Sequence, residues 1–320
     1  MAFIEGYGTT LAVTAGEDLP LHVSTDAKSF DVEILREGAE TKSFGRVTSL
    51  PGVKHPVPEL AFQKGCGWPV SHRLKTDSDW PSGVYRARLI ADETTKSDIF
   101  FVLRSPRPGK TSPILMELCT NTYQAYHKWG GHSHYGYNSI GNMRSPLLSY
   151  HRPGIGWHSD TNATIWELPF IRWAEANGYT LDYAINSDLE FRPELLSSYR
   201  LMLSVGHDEY WSWGMRDTCE NFVSNGGNIA FFTGNAVCWQ IRYENDGLQQ
   251  RCHKDASDED PIFMLGDRRR LTTRWNHPLV GRPENTLTGV GWEGGGYHKS
   301  HGMIMDGSGA YTVKRAEHWI

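Results

Sequence analysis

Apolar and polar residues alternate in short runs through the first third of the chain. LAVTAG, LHVSTD, FDVEILREG and GVYRARLIAD are partly alternating, with Gly, Asp or Pro between them, and SDIFFVLRS reads as one more strand. Period-two alternation bounded by turn residues predicts half-buried strands, and a succession of them predicts a β-sandwich over residues 1–105. The polar, Pro-rich RSPRPGKTSP then reads as a linker. Beyond it the pattern changes. PILMELC is a continuous apolar run, as a buried parallel strand requires, and YTLDYAI, YRLMLSV and NIAFFTG follow. Between them, Ile165, Leu168, Ile171 and Trp173 are spaced as one helical face that closes at Gly178, with Pro169 marking a kink or a late start. ELLSSY predicts a short helix, and SWGMRDTCENFVSNGG a longer one capped by Ser212. Strands alternating with helices imply right-handed crossovers and a doubly wound parallel sheet in an α/β domain over residues 106–320. Residues 245–285, with DASDED and RRR, read as a polar surface excursion.

Composition narrows the function classes. A length of 320 residues fits two domains, and a net charge of −5 points to neither nucleic acid nor an anionic membrane surface. No apolar run reaches the roughly 18 residues of a membrane span, and MAFIEGYGTT lacks the character of a signal peptide. The five cysteines are odd in number, scattered and without a CxxC pair, which argues against a disulfide framework and makes a reducing cytoplasm the expectation.

Ligands of open parallel sheets bind beyond the carboxyl ends of the strands, so the residues after each strand are the candidates. PILMELC is followed by Tyr123, Tyr126, His127, Trp129, His132, His134, Tyr135 and Tyr137. YRLMLSV is followed by His207, Asp208, Glu209 and Tyr210, and NIAFFT by Asn235 and Gln240. Asp208 and Glu209 at the end of an apolar strand are costly to bury unless paired, metal-bound or used to cap the next helix. Any single tyrosine is more simply read as packing, but three strand ends bearing His, Tyr, Glu and Asn describe a site. Carboxylate with phenol oxygen makes a hard donor set that suits Fe(III) better than zinc. His132 and His134 form an HxH pair, a weak metal signal. GxSxG, HExxH, GxGxxG and P-loop patterns are absent. Cys119, Cys219 and Cys238 read as small buried hydrophobes.

NTYQAYHKWGGHSHYGYN, SYHRP at 149–153, SVGHDEYWS and FFTGNAVCWQIR resemble, in this order, the N,N-dimethylformamidase large (beta) subunit family over about residues 106–300. The resemblance implies an α/β core like that of class I glutamine amidotransferases, without their cysteine nucleophile. It also implies a mononuclear iron held by two tyrosines and a glutamate, and hydrolysis of a small amide. Residue by residue, Glu209 matches the glutamate ligand and His207 the neighbouring catalytic histidine. Asn235 matches a polar residue lining the pocket. Tyr126 (then Tyr123) and Tyr135 (then Tyr137) are the tyrosine candidates, and Glu293 is a further acidic candidate. A small partner subunit or a homo-oligomer is the expected assembly. A non-enzymatic module holding a carbohydrate or another small ligand on aromatic rings is the alternative, and a Cys119-dependent hydrolase the weakest reading.

Overall fold

The computed structural model describes residues 3–292 and Glu317. Eight strands form the N-terminal part: β1 (Ile4–Gly8), β2 (Ala12–Thr14), β3 (Asp18–Thr25), β4 (Ser29–Glu37), β5 (Thr41–Pro51), β6 (His72–Lys75), β7 (Gly83–Ile90) and β8 (Lys96–Arg104), with a short helix α1 (Ala61–Lys64) before β6. They make a three-stranded sheet ordered β1-β3-β6 and a five-stranded sheet ordered β2-β8-β7-β4-β5. Alternation does what it predicts: Leu19, Leu21 and Val23 of the first sheet meet Val32, Ile34, Ala87 and Leu89 of the second in one apolar core.

The five-stranded sheet is buried on its other face as well. Val84, Phe100 and Val102 point away from that core and join Met116, Leu118, Tyr123, Leu168 and Val205 in a second core. The N-terminal sheets and the rest of the chain are therefore packed through shared side chains, not merely joined by a linker.

The second part has strands β9 (Ile114–Leu118), β10 (Leu147–Ser149), β11 (Asp182–Ile185), β12 (Leu201–His207), β13 (Tyr210–Ser212), β14 (Asn228–Gly234), β15 (Trp239–Glu244) and β16 (Gln249–Arg251). Its helices include α2 (Thr120–Tyr126), α3 (Glu167–Ala176), α4 (Asn186–Phe191) and α5 (Trp213–Ser224). The apolar runs form a parallel sheet ordered β11-β9-β12-β14. Its two faces alternate: Met116, Leu118, Leu203 and Val205 look towards α3 and the five-stranded sheet, while Leu115, Ala184 and Met202 look towards α5. One face is thus covered partly by another sheet, where a doubly wound pattern leads one to expect helices alone. From β9 the chain goes to β11 on one side, then to β12 on the other, so the order reverses between β9 and β12.

Several local readings are refined. Helix α3 begins at Glu167, which places Pro169 in its first turn, where a missing N–H breaks no helical bond. Leu168 and Ile171 are buried, but Ile165 precedes the helix and is exposed. Trp173 is exposed too, because it lies two residues past Ile171, about 200° around the axis. Ser212 caps α5, its Oγ accepting the Met215 N–H at 3.4 Å. The stretch expected to be a surface excursion folds back instead. Strand β16 pairs with β10 and β15 in a second sheet ordered β10-β16-β15-β13, and Gln250, Cys252, His253 and Lys254 are buried.

Candidate metal centre

The reversal between β9 and β12 is where an open parallel sheet presents a crevice, and the candidate residues gather there. Strand β9 runs into α2, whose last residue is Tyr126, and a loop returns Tyr135 to lie against it. Strand β12 ends through Gly206 at φ 107°, a left-handed turn; a Cβ there would come within 3.0 Å of the Glu167 carboxyl carbon. The chain then carries His207, Asp208 and Glu209 over the sheet's end. Strand β13 follows at once and pairs with β15, setting Tyr210 beside Trp239.

Three oxygens converge. The Tyr126 hydroxyl donates to Glu209 Oε2 at 3.1 Å. The Tyr135 hydroxyl lies 2.7 Å from the Tyr126 oxygen and 3.2 Å from the same Oε2. The two rings face each other with centroids 4.3 Å apart. Glu209 is held from the other side by the Trp239 indole N–H, 2.9 Å from Oε1, and His207 Nε2 lies 3.3 Å from Oε2. A second row backs the first: Lys254 Nζ donates to the Tyr210 hydroxyl at 2.7 Å, which donates to the Tyr135 oxygen at 2.6 Å. The same ammonium sits 3.2 Å from the centroid of the Tyr135 ring.

Burial and charge tune these groups. Desolvation, and then the Glu209 carboxylate, hold the phenols of Tyr126 and Tyr135 well above the ordinary tyrosine range, so both carry their protons in this arrangement. Burial lowers the Lys254 ammonium to about 8, against the opposing pull of Glu209. Asp208 turns the opposite way from Glu209. It accepts the Ser204 hydroxyl at 2.7 Å and the Asn186 amide at 3.2 Å, beside a buried Glu117 whose carboxyl is pushed far up by burial and by Asp208. Neither acid caps α5, the role that Ser212 fills.

The other candidates fall differently. Asn235 follows β14 at φ 52° and, because His207 pairs with Gly234 in the sheet register, comes next to His207. Tyr137 is 66% exposed, and its hydroxyl bonds Asp160 at 3.3 Å. Tyr123 is buried and donates to Glu167. His132 and His134 bond the backbone carbonyls of Met143 and Ser145, so the HxH pair braces a loop. The Cys119 thiol is buried, bonded to the Val205 carbonyl at 3.2 Å and pushed up by burial, the reverse of an activated nucleophile. Glu293 lies outside the described residues. Sequence reading did not single out Trp239 and Lys254 as site residues. Trp239 carried no signal beyond its aromatic character, and Lys254 stands in a stretch whose polarity marks it as surface.

The donor chemistry fits a hard cation. Among the described residues no three His, Cys, Asp or Glu side chains are placed to hold a metal ion, so a centre here would need the phenols. Two phenol oxygens and one carboxylate oxygen within hydrogen-bond reach of each other make a small oxygen-only donor set, of the kind that suits a hard cation rather than a thiophilic one.

Fold and site define an α/β protein with a buried phenol–carboxylate cluster at the reversal point of a parallel sheet. The chain belongs to the family described as N,N-dimethylformamidase beta subunit-like, C-terminal, whose model matches residues 31–320. It is 27% identical to an N,N-dimethylformamidase beta subunit from Alcaligenes sp and 26% identical to one from Paracoccus aminophilus, each over 222 residues. Each match covers 55% of this chain and 28% of the relative, so the chain spans under a third of the length of these curated relatives.

Proposed function

We propose that this chain carries the metal centre of a hydrolase acting on the C–N bond of a small amide or formamide, with Fe(III) held by Tyr126, Tyr135 and Glu209. The observation that carries the reading is the meeting of those three oxygens within 2.7–3.2 Å at the sheet's reversal point. Fe(III) bound there would supply Lewis acidity to an amide carbonyl. His207, 20% exposed at its side chain and in reach of Glu209, takes a proton from the attacking water or donates to the developing oxyanion. Asn235, beside His207, orients the amide. Lys254 offsets the negative charge of the phenol–carboxylate cluster through Tyr210. Glu293 is a further acidic group in this reading.

In this reading residues 106–320 form an amidotransferase-like domain, preceded by a β-sandwich at 1–105 that shares a core with it. Because the two relatives are named beta subunits, we infer a small partner subunit or a homo-oligomer. Five free, buried cysteines favour a cytoplasmic setting. Among the described residues no helix is long and apolar enough to cross a membrane.

The test is metal analysis and a visible spectrum of protein purified without chelator. About one iron per chain with a tyrosinate-to-iron band supports the reading. Colourless, metal-free protein that takes up no added iron overturns it in favour of a ligand-binding module.

A further inference from the structure

Arg152, the arginine of SYHRP, is fully buried, and all its hydrogen-bond acceptors are uncharged. Burial of a guanidinium without a counter-ion is costly, and desolvation brings its pKa down to about 9. What it has instead is a ring of neutral oxygens. Nε donates to the Ser149 carbonyl at 2.8 Å. Nη1 reaches the carbonyls of His127, Trp129 and His132 at 3.0, 2.9 and 3.2 Å. Nη2 donates to Gln124 Oε1 at 2.7 Å, in the last turn of α2.

Those acceptors are not scattered. His127, Trp129 and His132 belong to the loop that joins Tyr126 to Tyr135, and Gln124 sits two residues before Tyr126. The loop turns at Gly130 and Gly131, with φ 81° and 97°, so its own backbone has wide conformational freedom. The arginine is itself anchored through its neighbour. His151 Nε2 bonds the Thr9 carbonyl at 2.9 Å, and the His151 carbonyl accepts the Cys66 N–H at 3.0 Å.

We propose that Arg152 is a positioning residue: by clasping the end of α2 and the 127–132 loop onto one rigid fork, it brings the Tyr126 and Tyr135 hydroxyls together at 2.7 Å. The planar guanidinium suits this task because its donors point in several fixed directions in one plane, which an ammonium cannot reproduce. The role rests on the reading of the two phenols as a pair that acts together, and it makes the N-terminal strands, through His151, part of the support of the centre.

The experiment compares Arg152→Lys with Arg36→Lys in the full chain; Arg36 is a largely buried arginine that has a counter-ion, paired with Glu175 at 2.7 Å. Two readouts use metal-free protein: amide hydrogen exchange, and fluorine spectra of 3-fluorotyrosine-labelled chain with Tyr126 and Tyr135 assigned by single Phe substitutions. A third is iron uptake. Arg152→Lys is expected to speed exchange across 127–134 by about 10-fold or more relative to β9 and β12, to shift or broaden both fluorine signals, and to weaken iron uptake by about 10-fold or more. Arg36→Lys is expected to lower the unfolding temperature while leaving the loop and the two signals alone. Exchange and fluorine signals unchanged in Arg152→Lys, or changed equally by Arg36→Lys, overturn the proposal. If the wild-type chain takes up no iron, the metal reading falls, and the two metal-free readouts still decide the clasp. Should Arg152→Lys not fold, Gln124→Met decides: loosening of the loop supports the clasp and an unaltered loop overturns it.

Discussion

Replacing Glu209 by alanine removes the acceptor of Tyr126, Tyr135 and Trp239 at once. Metal analysis of Glu209→Ala, Tyr126→Phe and Tyr135→Phe should show affinity losses beyond the roughly 10–100-fold typical of residues that only support a ligand. Tyr137→Phe should bind as wild type, because its exposed hydroxyl faces Asp160. Tyr126 and Tyr135 are held protonated, so metal uptake on the proposed ligand set must release their protons, and apparent affinity should rise with pH through the neutral range. Calorimetry in buffers of different ionisation heat counts those protons; a pH-independent affinity would remove the phenols from the ligand set. Glu167 gives a prediction about stability. Burial raises its carboxyl from 4.5 to about 7. Between those values the folded chain binds more protons than the unfolded one, so this group's contribution to stability is full below 4.5 and is lost as pH rises through 7. Denaturant titrations at pH 5 and 8 should show wild type losing up to about 3 kcal/mol more than Glu167→Gln over that interval. At this scale the sequence was legible where a motif sat on a strong strand signal, as Glu209 does after YRLMLSV. The tyrosines were not separable by pattern, since Tyr123, Tyr126, Tyr135 and Tyr137 stand in one aromatic loop, and only family resemblance ranked them.

Elements were read more securely than residues wherever burial and periodicity agreed. Strands β9 and β12, in the middle of their sheet, are apolar on both sides because both faces are covered there, and a continuous apolar run is the signature of that condition; the edge strand β14 has the same run but is only half-covered, with Phe232 60% exposed. The sheet of β10, β13, β15 and β16 escaped notice for the opposite reason: three of its strands have three residues each, too few to show a period. Helix α5 was found through its cap. Ser212 Oγ accepts the Met215 N–H and donates to Glu190 Oε2 at 2.6 Å. Ser212→Ala should therefore cost about 1–2 kcal/mol in chemical denaturation. No loss would mean that the cap is dispensable and that tertiary contacts alone hold the helix start.

For the molecule as a whole, RSPRPGKTSP reads as a linker between two domains, and a linker pattern says nothing of how closely the flanking parts pack. The side chains supply that, because Val84, Phe100 and Val102 share a core with Met116, Leu118 and Val205. Phe100 packs edge-on against Tyr123 and Trp157, at 5.9 and 5.7 Å between centroids. Phe100→Ala should lower stability by about 3–5 kcal/mol and destabilise both parts together, and calorimetry of the wild type should show one transition. Two separated transitions, or a loss confined to the N-terminal strands, would contradict the shared core. The doubly buried sheet also restricts how such a chain can be rearranged in evolution. A module with one wet face can be gained or dropped at its linker. Here, removing residues 1–105 would strip the apolar lid from the parallel sheet, so any descendant without these strands must have recruited another lid in the same step or paid with insolubility.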